Sequence, residues 1–128
     1  MRQLKYLRFH KEAQSDGILD SDLIEISSDF FELDTIGQQR FSLGAGLYKL
    51  RLASKTGRGK SGGSRAILAY KKDDRLIWIH AFSKNDKGNV SKKDLEKFKG
   101  LSEIYLNLSK SALQVLIECG DLIEIKEK

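Results

Sequence analysis

Apolar positions change period along the chain, and each change marks an element. Residues 17–33, "GILDSDLIEISSDFFEL", place Leu19, Leu23, Ile26 and Phe30 at spacings of four, three and four, which is one face of a helix. Asp20 or Ser21 is positioned to cap it. Ahead of it, residues 5–9, "KYLRF", suit either a short strand or a helix start. "SLGAGL" at 42–47 is a break. Residues 47–53, "LYKLRLA", then alternate: Tyr48, Leu50 and Leu52 fall on one side, Lys49 and Arg51 on the other, as in a half-exposed strand.

Two more strands follow, "RAILAY" at 65–70 and "RLIWIHAF" at 75–82, joined by a turn at Asp73 and Asp74. The second is long and apolar enough to be central. Helical spacing returns at 91–108, where Leu95, Phe98, Leu101, Tyr105 and Leu108 share a face behind a cap-like Ser91 and Asp94. A last helix runs from the cap Ser109 to the stop Gly120, and "DLIEI" adds an edge strand or covers the core. The order is helix, three-stranded antiparallel meander, helix. It predicts one α+β domain over 1–128, with helices packed on one face of a small sheet. Trp78 and Tyr105 belong to the core in this reading, and Cys119 is a buried, inert thiol.

Composition narrows the chemistry. With 128 residues the chain suits one domain with an ordinary core. Its single cysteine rules out an intramolecular disulfide and a cysteine-built zinc site, and fits a reducing compartment. No stretch approaches the roughly 18 apolar residues of a membrane span, and the N-terminus lacks a signal-peptide core. A soluble cytoplasmic protein with no membrane partner is expected. The net charge of +5 is unevenly spread: residues 1–46 carry −3, residues 47–88 carry +8, and the remainder balances. A block that lopsided points to a polyanion, nucleic acid or an acidic protein, over a merely solvated face.

Within that block lies "TGRGKSGGSR" at 56–65. Gly59-Lys60-Ser61 resembles the end of a phosphate-binding P-loop, but the glycine required five residues earlier is Ser54. Gly62 and Gly63 also lead into a strand, whereas a P-loop opens a helix. A charged hairpin turn would explain the glycines alone. It would not explain why Lys49, Arg51, Lys60, Arg65 and Lys84 can converge on one sheet face. His80 stands in register with Trp78 and Phe82; a lone histidine on an aromatic strand face is more often structural, so it is carried as a candidate acid or base.

These motifs, taken in order, resemble the RelE/HigB branch of the RelE/ParE-like toxins of type II toxin–antitoxin systems. The shared features are the glycine-flanked Lys49-Leu50-Arg51 strand, Gly59-Lys60-Ser61-Gly62-Gly63-Ser64-Arg65 leading into a strand, and Lys84-Asn85 after an aromatic-rich strand. The resemblance runs from about Leu19 to the end. It implies a microbial-RNase-like fold and a metal-independent endoribonuclease, an mRNA interferase acting in the A site of the 70S ribosome without a cofactor. It also implies a neutralising antitoxin, often a small helix-turn-helix protein. By motif, Arg65 stabilises the phosphate, Lys84 is a second cation, and Lys49 and Arg51 position RNA, one of them serving as base. Lys55, Arg58, Lys60 and Lys87 bind RNA around them. Many relatives place a Tyr or His near the C-terminus as acid or stacking group; here that stretch has no His. A ParE-like gyrase-binding poison and a non-catalytic RNA- or ribosome-binding module stay open as alternatives.

Overall fold

The computed structural model describes residues 1–52, 64–83 and 90–126. The chain begins with strand β1 (Arg2–Tyr6) and turns at once into helix α1 (Leu7–Asp16), which ends on the left-handed Gly17. Helix α2 (Asp20–Phe31) and the single turn α3 (Thr35–Gln39) follow. Then come β2 (Ser42–Gly44), β3 (Leu47–Leu52), β4 (Ser64–Lys71) and β5 (Arg75–Ser83). Helix α4 (Lys92–Asn107), helix α5 (Lys110–Cys119) and β6 (Leu122–Ile125) close the chain.

The expected meander is present: β3, β4 and β5 pair antiparallel in sequence order. It forms the middle of a six-stranded sheet ordered β2-β3-β4-β5-β1-β6, in which β1 lies parallel to β5 and antiparallel to β6. The α+β class holds. The placement of helices on one face does not, because both sides of the sheet carry a core. On one side Phe9, Ala13, Leu23 and Phe30 of α1 and α2 pack on Leu50, Leu52, Ala66, Leu68, Leu76 and Trp78. On the other, Phe98, Tyr105 and Leu113 of α4 and α5 pack on Leu4, Leu47, Ile67, Ala69, Ile77 and Ile79. Strands that are apolar on both faces need cover on both, and "AILA" and "LIWI" carry that pattern.

Two capping expectations are met: Ser91 accepts from the Asp94 N–H and Ser109 from the Ala112 N–H. At α2 the cap is different. Leu19, exposed and off the apolar face, is the N-cap residue, and the Asp22 carboxylate accepts its N–H at 3.0 Å. A carboxylate in the first turn meets the orphan N–H groups and the positive end of the helix dipole. Cys119 is also corrected: it is exposed, because α5 buries Leu113 and half-buries Leu116 and Ile117, and Cys119 falls off that stripe. Trp78 and Tyr105 are buried as expected. Among the described residues no helix is long and apolar enough to cross a membrane.

Candidate active site

Strand register assembles the site. Lys49 on β3 pairs with Ile67 on β4, and Ile67 with His80 on β5. One step toward the end of the sheet, Arg51 pairs with Arg65, and Arg65 with Phe82. Residues two apart along a strand share a face, so Lys49, Arg51 and Arg65 stand on the side that carries Leu47, Ile67 and α4. Burial grades along this face. Leu47, Ile67, Ala69 and Ile77 are sealed under α4, while Lys49, Arg65 and Phe82 are half-buried and Arg51 is exposed. The cations therefore occupy the open end of a face whose other end is core. There, among the described residues, Arg65 Nη1 donates weakly to the Ser64 carbonyl at 3.4 Å. Lys55, Arg58, Lys60, Lys84 and Lys87 lie outside the described residues.

A register shift between Ile67 and Leu68 lets β5 carry one extra residue against β4. Trp78 thus faces α1 while Ile79 faces α4, and His80 is turned against the aromatic pair on the α4 side. Its ring stacks on Phe82 at 5.6 Å and on Phe98 at 5.0 Å between centroids. Its Nδ1 lies 2.9 Å from Glu12 Oε2 and 3.1 Å from Oε1. Glu12 Oε1 also accepts the Ala81 N–H at 2.9 Å. The pairing of β1 with β5 ends at Trp78, so beyond that point a side chain from α1 takes over where the strand partner stops. Burial pushes the Glu12 carboxyl up. The hydrogen bonds from His80 and the Ala81 N–H, with the charges of His80 and Arg8, outweigh it and hold the group below its ordinary value. Arg8 completes the cluster, 3.3 Å from Glu12 and with its guanidinium 5.9 Å from the Phe98 ring centre.

Beside this pair, an open cleft of about 680 Å³ runs between α1 and the start of α4, lined by Lys11, Glu12, Asp16, His80, Phe82 and Asp94 among others. His80 thus touches a cleft at the edge of the cation face. Glu12 is the residue that sequence reasoning missed. It lies 68 residues from His80, and its only local signal, an Arg8–Glu12 spacing of four on a helix, reads as an ordinary surface pair. Tyr105 is set apart from the site: burial, with Tyr6 and Asp121 nearby, pushes its phenol far above the usual range.

The chain matches the family model of the RelE toxin of the RelE/RelB toxin–antitoxin system over residues 1–125. No curated protein matches it. The family match spans nearly the whole chain and takes in β1 and α1, which the sequence motifs left out. The chain belongs to the RelE toxin family, and membership implies an antitoxin partner.

Proposed function

We propose that this RelE-family toxin is an mRNA endonuclease that works on the translating ribosome, in the A site, and stops protein synthesis. The observation that carries the reading is the Arg51–Arg65 cross-strand pair with Lys49 one step away. Like charges opposite one another on a sheet are destabilising, and such an arrangement suits a site that receives an anion. Cleavage needs a base for the 2′-OH, cations for the charge growing on phosphorus, and an acid for the leaving 5′-oxygen. Lys49 and His80 flank Ile67, two strand spacings or about 10 Å apart. In-line displacement puts the attacking and leaving oxygens on opposite sides of phosphorus, so acid and base must approach from opposite sides, a requirement that residues on the two strands flanking β4 suit.

In this reading the Lys49 amine, in its neutral form, takes the 2′-OH proton as the 2′-oxygen bonds to phosphorus. Arg65, with Arg51, holds the non-bridging oxygens; a planar fork suits two oxygens at once. The P–O5′ bond breaks with its electron pair going to O5′, which receives a proton from His80. The products are a 2′,3′-cyclic phosphate and a 5′-OH. Lys84 is assigned a second phosphate contact, and Lys55, Arg58, Lys60 and Lys87 a role in holding RNA. The antitoxin is a small helix-turn-helix protein that masks the cation face. The test is induced expression with mapping of mRNA 5′ ends: new 5′-OH ends within translated codons support the reading. Continued translation with loss of DNA supercoiling would favour a gyrase poison.

A further inference from the structure

We propose that Glu12 is the positioning residue of the proton donor: it holds His80 by Nδ1 so that Nε2 is the atom that exchanges a proton with RNA at the edge of the cleft. The inference rests on the nuclease reading above. Three observations carry it. Both carboxylate oxygens of Glu12 lie within hydrogen-bond distance of Nδ1, at 2.9 and 3.1 Å, which makes that nitrogen the donor to the carboxylate. The carboxylate is itself fixed, Oε1 by the Ala81 N–H and Oε2 by Arg8. The imidazole cannot rotate away, because Phe82 and Phe98 stack against it. A histidine serving only as core would not need an anchored anion, and a surface ion pair would not need two aromatic walls.

The chemistry follows. With Nδ1–H directed at the carboxylate, the proton available for transfer sits on Nε2. That proton passes to O5′ as the P–O5′ bond breaks, leaving neutral imidazole with Nδ1–H still on Glu12. Among the described residues, the charged groups around His80 are Glu12, Arg8, Lys11 and Asp16 from α1, Asp94 from α4 and, one step along the same face of β4, Arg65. Of these, Glu12 is the one hydrogen-bonded to the ring.

The experiment is single-turnover cleavage of mRNA on programmed ribosomes from pH 5.5 to 9, with wild type, His80→Ala, Glu12→Gln and the double variant, each checked for fold by circular dichroism. Glu12→Gln keeps an acceptor for the Ala81 N–H, so it tests charge rather than folding. His80→Ala should lower the rate by roughly a hundredfold or more. Glu12→Gln should lower the saturated rate with little change in half-saturation. The double variant should be no slower than His80→Ala. In parallel, nitrogen NMR of labelled histidine, read without any RNA, should show His80 carrying its proton on Nδ1 in wild type and a weaker preference for that tautomer in Glu12→Gln. A wild type that cuts no RNA sinks the nuclease reading and this role with it. A wild type that cuts while His80→Ala cuts as fast, or a saturated rate unmoved by Glu12→Gln, overturns the present inference alone.

Discussion

Arg65 is placed by its backbone before its side chain does anything. It is the second residue of β4, paired to Arg51 on one side and Phe82 on the other, so its Cα is fixed by the sheet at the open end of the face. Removing one preorganised donor to a developing oxyanion costs about 3–4 kcal/mol, roughly a hundred- to a thousandfold in rate. Arg65→Ala should therefore abolish toxicity in a fold-competent protein that still binds its antitoxin, and Arg65→Lys should restore little, because an ammonium cannot span two oxygens. Cleavage by Arg65→Ala at the wild-type rate in a ribosome assay would remove the site from this face. Glu12 gives a second test at this scale. Its carboxyl is held below the ordinary value of 4.5, so the folded state binds fewer protons there than the unfolded chain. The stabilisation is complete above the unfolded value and is lost as pH falls through the folded one. Urea midpoints should drop between pH 6 and pH 3, and Glu12→Gln should flatten that drop; an unchanged slope would show that the carboxylate does not contribute. Of these residues, Lys49 and Arg51 were put on one strand face by alternation, and Arg65 at the start of the neighbouring strand by the glycine motif. Glu12 was not legible, since its partner is set by how α1 lies on β5, and local spacing carries no trace of it.

Among the elements, β1 explains most of what the sequence hid. Its inward positions on the α1 and α2 side are polar: Gln3 and Lys5 are buried, with Lys5 Nζ 2.6 Å from Asp20 and Gln3 bridging Ser27 and the Trp78 indole. Neither alternation nor a continuous apolar run marks such a strand, whereas β3 alternates and β4 and β5 are apolar runs, and all three were read as strands. The same signals could not place helices on both faces, because a fully apolar strand does not say which element covers each side. Gln3 can be tested through its partner. Gln3 Oε1 accepts from Trp78 Nε1 at 3.3 Å in the core. Gln3→Ala should orphan that donor and cost about 1–3 kcal/mol from it alone. In a Trp78→Phe background, which has no indole N–H, the same substitution should cost less. Equal costs in both backgrounds, measured by denaturant unfolding, would mean that Gln3 stabilises by packing only.

For the whole molecule, charge and topology meet at one place. The excess of +8 lies in residues 47–88, and β3, β4 and β5 bring three of its six described cations, Lys49, Arg51 and Arg65, to the open end of one face, with Lys71, Lys72 and Arg75 at the opposite end. The charge block was visible in composition. Its convergence needed the register, and five of its cations lie outside the described residues. The antitoxin that family membership implies has to silence this face if it is to silence the site. A segment rich in Asp and Glu would be drawn to it, associate quickly at low salt, and compete directly with RNA phosphate for Lys49 and Arg65. Exposed ion pairs are screened over about a Debye length, roughly 8 Å at physiological salt, so association should slow as salt rises. In the complex, Lys49 should be protected from amine labelling, while Lys92 and Lys93 at the exposed start of α4 serve as internal references. A tight complex in which Lys49 labels as fast as in the free toxin would place the antitoxin on a distant surface, and neutralisation would then have to act by blocking access to the ribosome.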